Sequence, residues 1–207
     1  MVFFDDILVY SKSQAEHEEH LKAVLQVFRK HELKAKLSKC KFEQKQVEYL
    51  GYIISGQGVA TDPAKIQAII NWKAPDTLKK LRGFLGFTGY YRRFIPFYAL
   101  ICQALYTALK KNSFTWGPEQ QQAFDKLKQI MSNPPLLALP NYSLPFTLET
   151  DACATGIGAV LMQENRPLAY FSRCLGPKNS DESVYAKEAM AILAALKNGD
   201  IISWAIN

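Results

Sequence analysis

The hydrophobic periodicity of the chain changes twice, and this constrains its fold more than any single motif does. Apolar residues alternate weakly at the start, recur at helical spacing over residues 62–131, and alternate again over residues 146–172. An α+β chain is predicted, with a helical block between two sheet-bearing parts. In the first part, residues 3–10 read as strand broken by Asp5 and Asp6, where a hairpin tip fits. Ser13 with Glu16 makes a capping box ahead of Leu21, Val24, Leu25 and Phe28, which predicts a helix over 14–30. Short strands are expected over 36–42 and 47–55, before the Gly56-Gln57-Gly58 turn.

Thr61-Asp62-Pro63 reads as a helix start with proline at the first helical position, followed by a stripe of Ile66, Ile69 and Ile70. Asp76-Thr77 opens a second helix carrying Leu78, Leu81 and Leu85. A third is expected over 97–110, and Trp116-Gly117-Pro118 opens a fourth bearing Phe124, Leu127, Ile130 and Met131. The proline-broken stretch 133–145 is the expected linker. Strands at 146–150, 157–163 and 168–172, then a helix over 183–197, predict a three-strand antiparallel start followed by a crossover helix.

Charge narrows the partners. The 207 residues carry a net charge of +6. Seven Lys/Arg lie between Arg29 and Lys45 against Glu32 and Glu43, and seven lie between Thr77 and Pro118 with no acid at all. This distribution points to a polyanion. Cys40, Cys102, Cys153 and Cys174 are far apart, with no spacing suited to a structural metal or a disulfide framework. Without an apolar run of membrane length or a secretory leader, the chain reads as soluble and intracellular, in the cytoplasm or nucleus, with no membrane partner.

Asp5 and Asp6 are adjacent, so a regular strand would point them to opposite faces. A hairpin bend lets both reach one divalent cation, and an ordinary acidic turn is the competing reading. Asp151 closes the strand "FTLETD" before a small, glycine-containing stretch. Glu188 lies in "YAKEAMAILAAL" beside apolar Ala189 and Met190, where a carboxylate is costly without a partner, and a metal shared with Asp151 would account for both. His17 and His20 lie three apart in "EHEEHL", a spacing that suits a transition metal, although a solvated helix face is the plainer reading. Gly156 and Gly158 read as a tight turn.

The order of these blocks resembles the polymerase polyprotein of gypsy-type long-terminal-repeat retrotransposons. "FFDDILVYSKS" resembles the metal-bearing hairpin of a reverse transcriptase palm. "VEYLGYIISGQGV" resembles its primer-holding strands, and "LKKLRGFLGFTGYYRRFI" the thumb signature. "GIGAVLMQENRPLAYFSRCL" with "YAKEAMAILAAL" is similar to the first half of an RNase H domain.

The resemblance implies an incomplete palm over 1–60, a helical thumb over 61–112, a connection over 113–145 and a truncated RNase H-like domain over 146–207. It implies that Asp5 and Asp6 are two of three polymerase carboxylates, and that Asp151 and Glu188 are the first two of four nuclease carboxylates. Both sets would hold pairs of Mg²⁺ or Mn²⁺ for phosphoryl transfer. Lys79, Lys80, Arg82, Tyr90, Tyr91, Arg92 and Arg93 would track an RNA:DNA hybrid or other duplex. A deoxynucleotide triphosphate would enter only with the missing palm and fingers. The expectation is a catalytically incompetent fragment that keeps weak duplex binding. A non-enzymatic interaction module, or a piece completing an active enzyme with another chain, is the alternative, and exposed strands favour self-association.

Overall fold

A computed structural model describes residues 1–109 and 114–197. The chain divides into two compact units, Met1–Gly56 and Gln57–Asn207.

In the first unit, β1 (Val2–Phe3) pairs antiparallel with β2 (Asp6–Ile7), setting Phe3 opposite Asp6 and leaving Phe4 and Asp5 at the tip. Phe4 takes a left-handed φ of 50°, which lets so short a turn close without glycine. The Leu8 amide donates to the Met1 carbonyl at 2.9 Å and the N-terminal ammonium donates to the Leu8 carbonyl at the same distance. Helix α1 (Gln14–Lys30) has its predicted bounds. Ser13 Oγ accepts from the Glu16 amide at 3.3 Å, while Glu16 Oε2 takes the Lys12 amide at 3.2 Å, one residue earlier than a capping box would. At the other end Glu32 adopts φ 55° and the Leu33 amide donates back to the Phe28 carbonyl at 2.9 Å. This is a Schellman-type stop with glutamate at the position glycine usually fills.

Two readings of this part are corrected. Residues 36–42 form no strand but a 3₁₀ turn at Leu37–Lys39, since Lys36, Lys39 and Lys41 are all exposed and leave no face to bury. Residues 47–55 are not one strand but a hairpin, β3 (Gln46–Tyr49) with β4 (Tyr52–Ser55). Leu50 (φ 50°) and Gly51 (φ 74°) make its two-residue turn, the double left-handed geometry that matches strand twist.

The second unit begins with β5 (Gly58–Thr61), where Val59 and Leu137 exchange backbone hydrogen bonds of 2.8 and 3.0 Å. The expected linker 133–145 is therefore held in place: Leu137 is fully buried, and the buried Gln163 amide donates to the Asn141 and Leu144 carbonyls while accepting from the Asn141 amide. Its polar backbone has found partners, which is why it packs.

Helix α2 (Pro63–Ile70) starts where predicted, with Asp62 Oδ1 accepting from the Ala64 amide at 2.8 Å. Helix α3 (Leu78–Tyr90) is capped by Thr77 Oγ1 on the Lys80 amide. The expected third helix is split into α4 (Tyr98–Ile101) and α5 (Gln103–Leu109) at Cys102, behind Phe97 at φ 54°. The expected end at Lys110 lies outside the described residues. Helix α6 (Pro118–Ser132) completes the block. Leu81, Phe84, Phe94, Leu105, Phe124, Leu127 and Met131 are buried at its core, with the Phe84 ring 4.6 Å from that of Phe124 and 5.9 Å from Trp72.

Strands β6 (Thr147–Ala152), β7 (Gly156–Gln163) and β8 (Arg166–Cys174) form the antiparallel sheet predicted. After the short α7 (Pro177–Ser180) comes α8 (Val184–Lys197), its Ala186 amide donating to Ser183 Oγ. On one face of the sheet Ala195 of α8 packs with Ala159 and Leu161. On the other, the Ala99 amide donates to Ser172 Oγ at 2.8 Å, and a Cβ placed on Gly158 would lie 2.6 Å from the Phe97 ring.

Candidate functional site

Asp5 and Asp6 stand where the hairpin bends, Asp5 in the tip and Asp6 at the first strand position beyond it, both exposed. A local turn is thus enough to free adjacent carboxylates from the strict alternation of a strand. The nearly buried Tyr49 donates its hydroxyl to the Asp6 carbonyl at 3.4 Å, tying this turn to β3. Burial, and behind it the Asp6 carboxylate, push the Tyr49 phenol above its ordinary value, so it remains a donor. Sequence reasoning passed over Tyr49 because its partner is distant in the chain.

The donor chemistry suits a hard cation: two open carboxylates with nothing bulky over them. No group of three or more His, Cys, Asp or Glu able to hold a metal occurs among the described residues.

Asp151 and Glu188 are placed differently. The register sets Asp151 across from Gly158, so its exposed carboxylate belongs to the sheet face on which Phe97 lies. Glu188 is half-buried on α8, three residues before Ala191 and seven before Ala195, in the stripe that packs on the opposite face. The strand register therefore sets Asp151 on the face opposite the one on which α8 packs. Beside Asp151, burial raises the Cys153 thiol, but hydrogen bonds from the Thr155 backbone and hydroxyl outweigh it and hold the thiol below its ordinary value.

The basic block resolves into distinct surfaces. On α3, Leu81, Phe84, Leu85 and Thr88 face the core, so Lys79, Arg82, Gly83, Gly86 and Tyr90 form the exposed stripe at i, i+3, i+4, i+7 and i+11. A Cβ on Gly86 would meet nothing within 4 Å, and one on Gly83 only Trp72 at 3.8 Å. The helix thus presents bare backbone between its cations, Lys79 and Arg82, and the ring of Tyr90. The glycines are visible in "LRGFLGFTG", where two glycines in a helix interior need a reason. Lys80 leaves this stripe to pair with Asp76 at 2.7 Å. Tyr91, expected on the duplex-facing surface, is 2% exposed and packs in tilted and edge-on contacts with Phe87, Tyr90 and Phe94 beneath it. Arg92 is exposed and Arg93 half-buried just beyond the helix.

Comparison with known proteins gives a consistent pattern. A family described as reverse transcriptase (RNA-dependent DNA polymerase) matches residues 1–54, and one described as an RNase H-like domain found in reverse transcriptase matches residues 116–202. The chain is 38% identical over 199 residues to the retrovirus-related Pol polyprotein from transposon 297 of Drosophila melanogaster, a match covering 95% of this chain and 19% of that protein. It is 38% identical over 202 residues to the transposon Tf2-3 polyprotein of Schizosaccharomyces pombe, covering 95% of this chain and 15% of that protein. The chain thus spans about a fifth or less of the curated relatives it matches.

Among solved structures, a foamy viral protease-reverse transcriptase in complex with RNA/DNA hybrid superposes with a TM-score of 0.83 at 20% identity, covering 94% of this chain and 27% of that one. The dRH form in complex with ds DNA gives 0.84 at 20% identity, covering 96% and 36%. At that identity the likeness speaks for the fold. No described helix is long and apolar enough to cross a membrane.

Proposed function

We propose that this chain, which belongs to the reverse transcriptase and RNase H-like family of retrotransposon polyproteins, supplies the duplex grip and part of the metal-binding carboxylate set of an RNA-directed DNA polymerase, and that these 207 residues alone bind nucleic acid without turning it over. The α3 stripe carries this reading. Lys79 and Arg82 are exposed cations followed by bare backbone at Gly83 and Gly86, which suits the close approach of a sugar–phosphate backbone without reading its sequence. Lys80, Arg92 and Arg93 add positive charge around it, and Tyr90 offers a half-exposed ring.

Asp5 and Asp6 are the residues that would hold Mg²⁺ or Mn²⁺. When bound, a divalent ion would neutralise developing phosphoryl charge. The chain's own contribution is to keep two carboxylates open at a turn that Tyr49 anchors. A ribonuclease role for Asp151 and Glu188 is part of the same proposal, each carboxylate being a donor that would suit a divalent cation.

The test is anisotropy of a labelled RNA:DNA hybrid with a recessed primer, titrated across salt and scored in parallel for Mg²⁺-dependent extension and RNA cleavage. Lys79→Ala and Arg82→Ala should each lower the slope of log affinity against log salt by about 1. Gly86→Ala, whose Cβ has open space, should weaken hybrid binding while the fold stays intact. Unchanged slopes would refute the grip, and turnover abolished by Asp5→Asn would refute the claim that these residues do not catalyse alone.

A second surface favours association. Val2, Phe3, Phe4, Leu25 and Val27 are 49–88% exposed in the first unit, apolar area that a further protein surface, including a second copy, would cover. Sedimentation that stays monomeric at high concentration would count against self-association.

A further inference from the structure

The three residues before α1 all hold its start, and one of them gathers both of its histidines. Lys12 and Ser13 make the cap bonds already described. Ser11 Oγ lies 2.8 Å from His20 Nδ1 and 3.3 Å from His17 Nδ1. Two imidazole nitrogens of the same kind therefore converge on one small oxygen. Residues three apart on a helix share a face, but nothing in that spacing alone makes their ring nitrogens meet. The hydroxyl can donate to one ring nitrogen and accept from the other, so this one oxygen holds both rings close together.

We propose that Ser11, His17 and His20 form a binding site for an imidazole-preferring divalent transition ion such as Ni²⁺, Zn²⁺ or Cu²⁺, distinct from the oxygen-donor carboxylates at Asp5 and Asp6. Two imidazole nitrogens at about 2.0–2.1 Å would supply the principal ligands of such an ion, with the serine oxygen beside them and water filling the open positions. His17 and Ser11 are half-buried and His20 exposed, so the ion has an open approach and the ring nearest the chain is held in place. The ion would join residues 11 and 20 directly and fasten the exit of the hairpin to the first two turns of α1. The site has two nitrogen ligands, below the three-ligand clusters that are absent among the described residues. Affinity should be correspondingly modest and rest on both rings together.

The chain's third histidine, His31, sits exposed at the far end of α1 and serves as an internal control. Ni²⁺ is titrated into the intact chain while the imidazole resonances of all three histidines are followed by NMR. His17 and His20 should shift together at a common midpoint, with His31 requiring at least about tenfold more metal. His17→Gln or His20→Gln should each weaken binding roughly tenfold or more and release the other ring, and Ser11→Ala should weaken it less. Circular dichroism of each variant, with α1 still helical, separates lost ligation from lost folding. Three independent midpoints of equal affinity, or single-histidine variants that bind as wild type, would overturn the proposal. A first titration that moves His31 together with the other two would do the same.

Discussion

The two units of this chain contrast in how their elements are held. In the first, Tyr49 is the single apolar residue that reaches burial, and no residue of α1 is buried although the helix has sharp ends at both termini. In the second, α3 and α6 lay Leu81, Phe84, Phe124, Leu127 and Met131 into a continuous core. Local chemistry, through Ser13, Glu16 and the Glu32 stop, suffices to specify a helix but contributes only about 1 kcal/mol per cap. Burial of side chains such as Phe84 stabilises by several times that. A helix can therefore be well defined by its sequence and still contribute little to the stability of the whole.

The sharpest break of this contrast is thiol labelling without denaturant. Cys102 is 0% exposed, and burial pushes its thiol up to about 12, helped by neighbouring Cys174 and opposed by a hydrogen bond from Tyr98. Its alkylation should run on the order of a thousandfold slower than that of an ordinary exposed thiol. Cys40 of the first unit, half-exposed, should label readily. Equal rates would mean that the second core opens as easily as the first unit. Next in size, Phe84→Ala should cost about 3–5 kcal/mol in a denaturant titration of the second unit, and a loss below about 1 kcal/mol would show that its core is not cooperative.

Smaller again, Ser13→Ala should destabilise α1 by about 1 kcal/mol. The change should appear as faster amide exchange confined to residues 14–30, with the midpoint of the second unit unmoved. A shift in both would show that the units unfold together. Smallest is Asp76→Asn. The Lys80 hydrogen bond, foremost, holds the Asp76 carboxyl below its ordinary value. A depressed acid stabilises above its ordinary range and loses that contribution as pH falls through the folded value. Both side chains are well exposed, so the variant should fall slightly below wild type only at low salt and only above the acid range, the two converging as pH falls, which a pH series of thermal midpoints would register.

Helix starts were legible because caps and first-turn partners lie within four residues: Ser13, Asp62 and Thr77 cap where their spacing indicates. The antiparallel order of β6, β7 and β8 was legible from alternation and short turns. The reading of 36–42 as strand failed because weak alternation carries no information about whether a neighbour exists to pair with. The single strand over 47–55 failed because Leu50 accepts a left-handed turn that composition argues against.

The site divides the same way. Adjacent aspartates in an apolar run, and cations without acids, are properties of the one-dimensional chain, and they led to Asp5, Asp6, Lys79 and Arg82. Which tyrosine faces outward, Tyr90 or Tyr91, depends on where the helix ends and what packs beneath it. The face on which Asp151 lies depends on strand register, and the anchor from Tyr49 to Asp6 joins residues 43 apart. By itself the sequence determined the elements, their ends and the chemical character of the surfaces, because those follow from interactions a few residues long. Only the tertiary structure decided on which sheet face Asp151 lies, which ring is buried and that Tyr49 reaches Asp6. Those outcomes are set by contacts between segments, and their energies exceed any local preference.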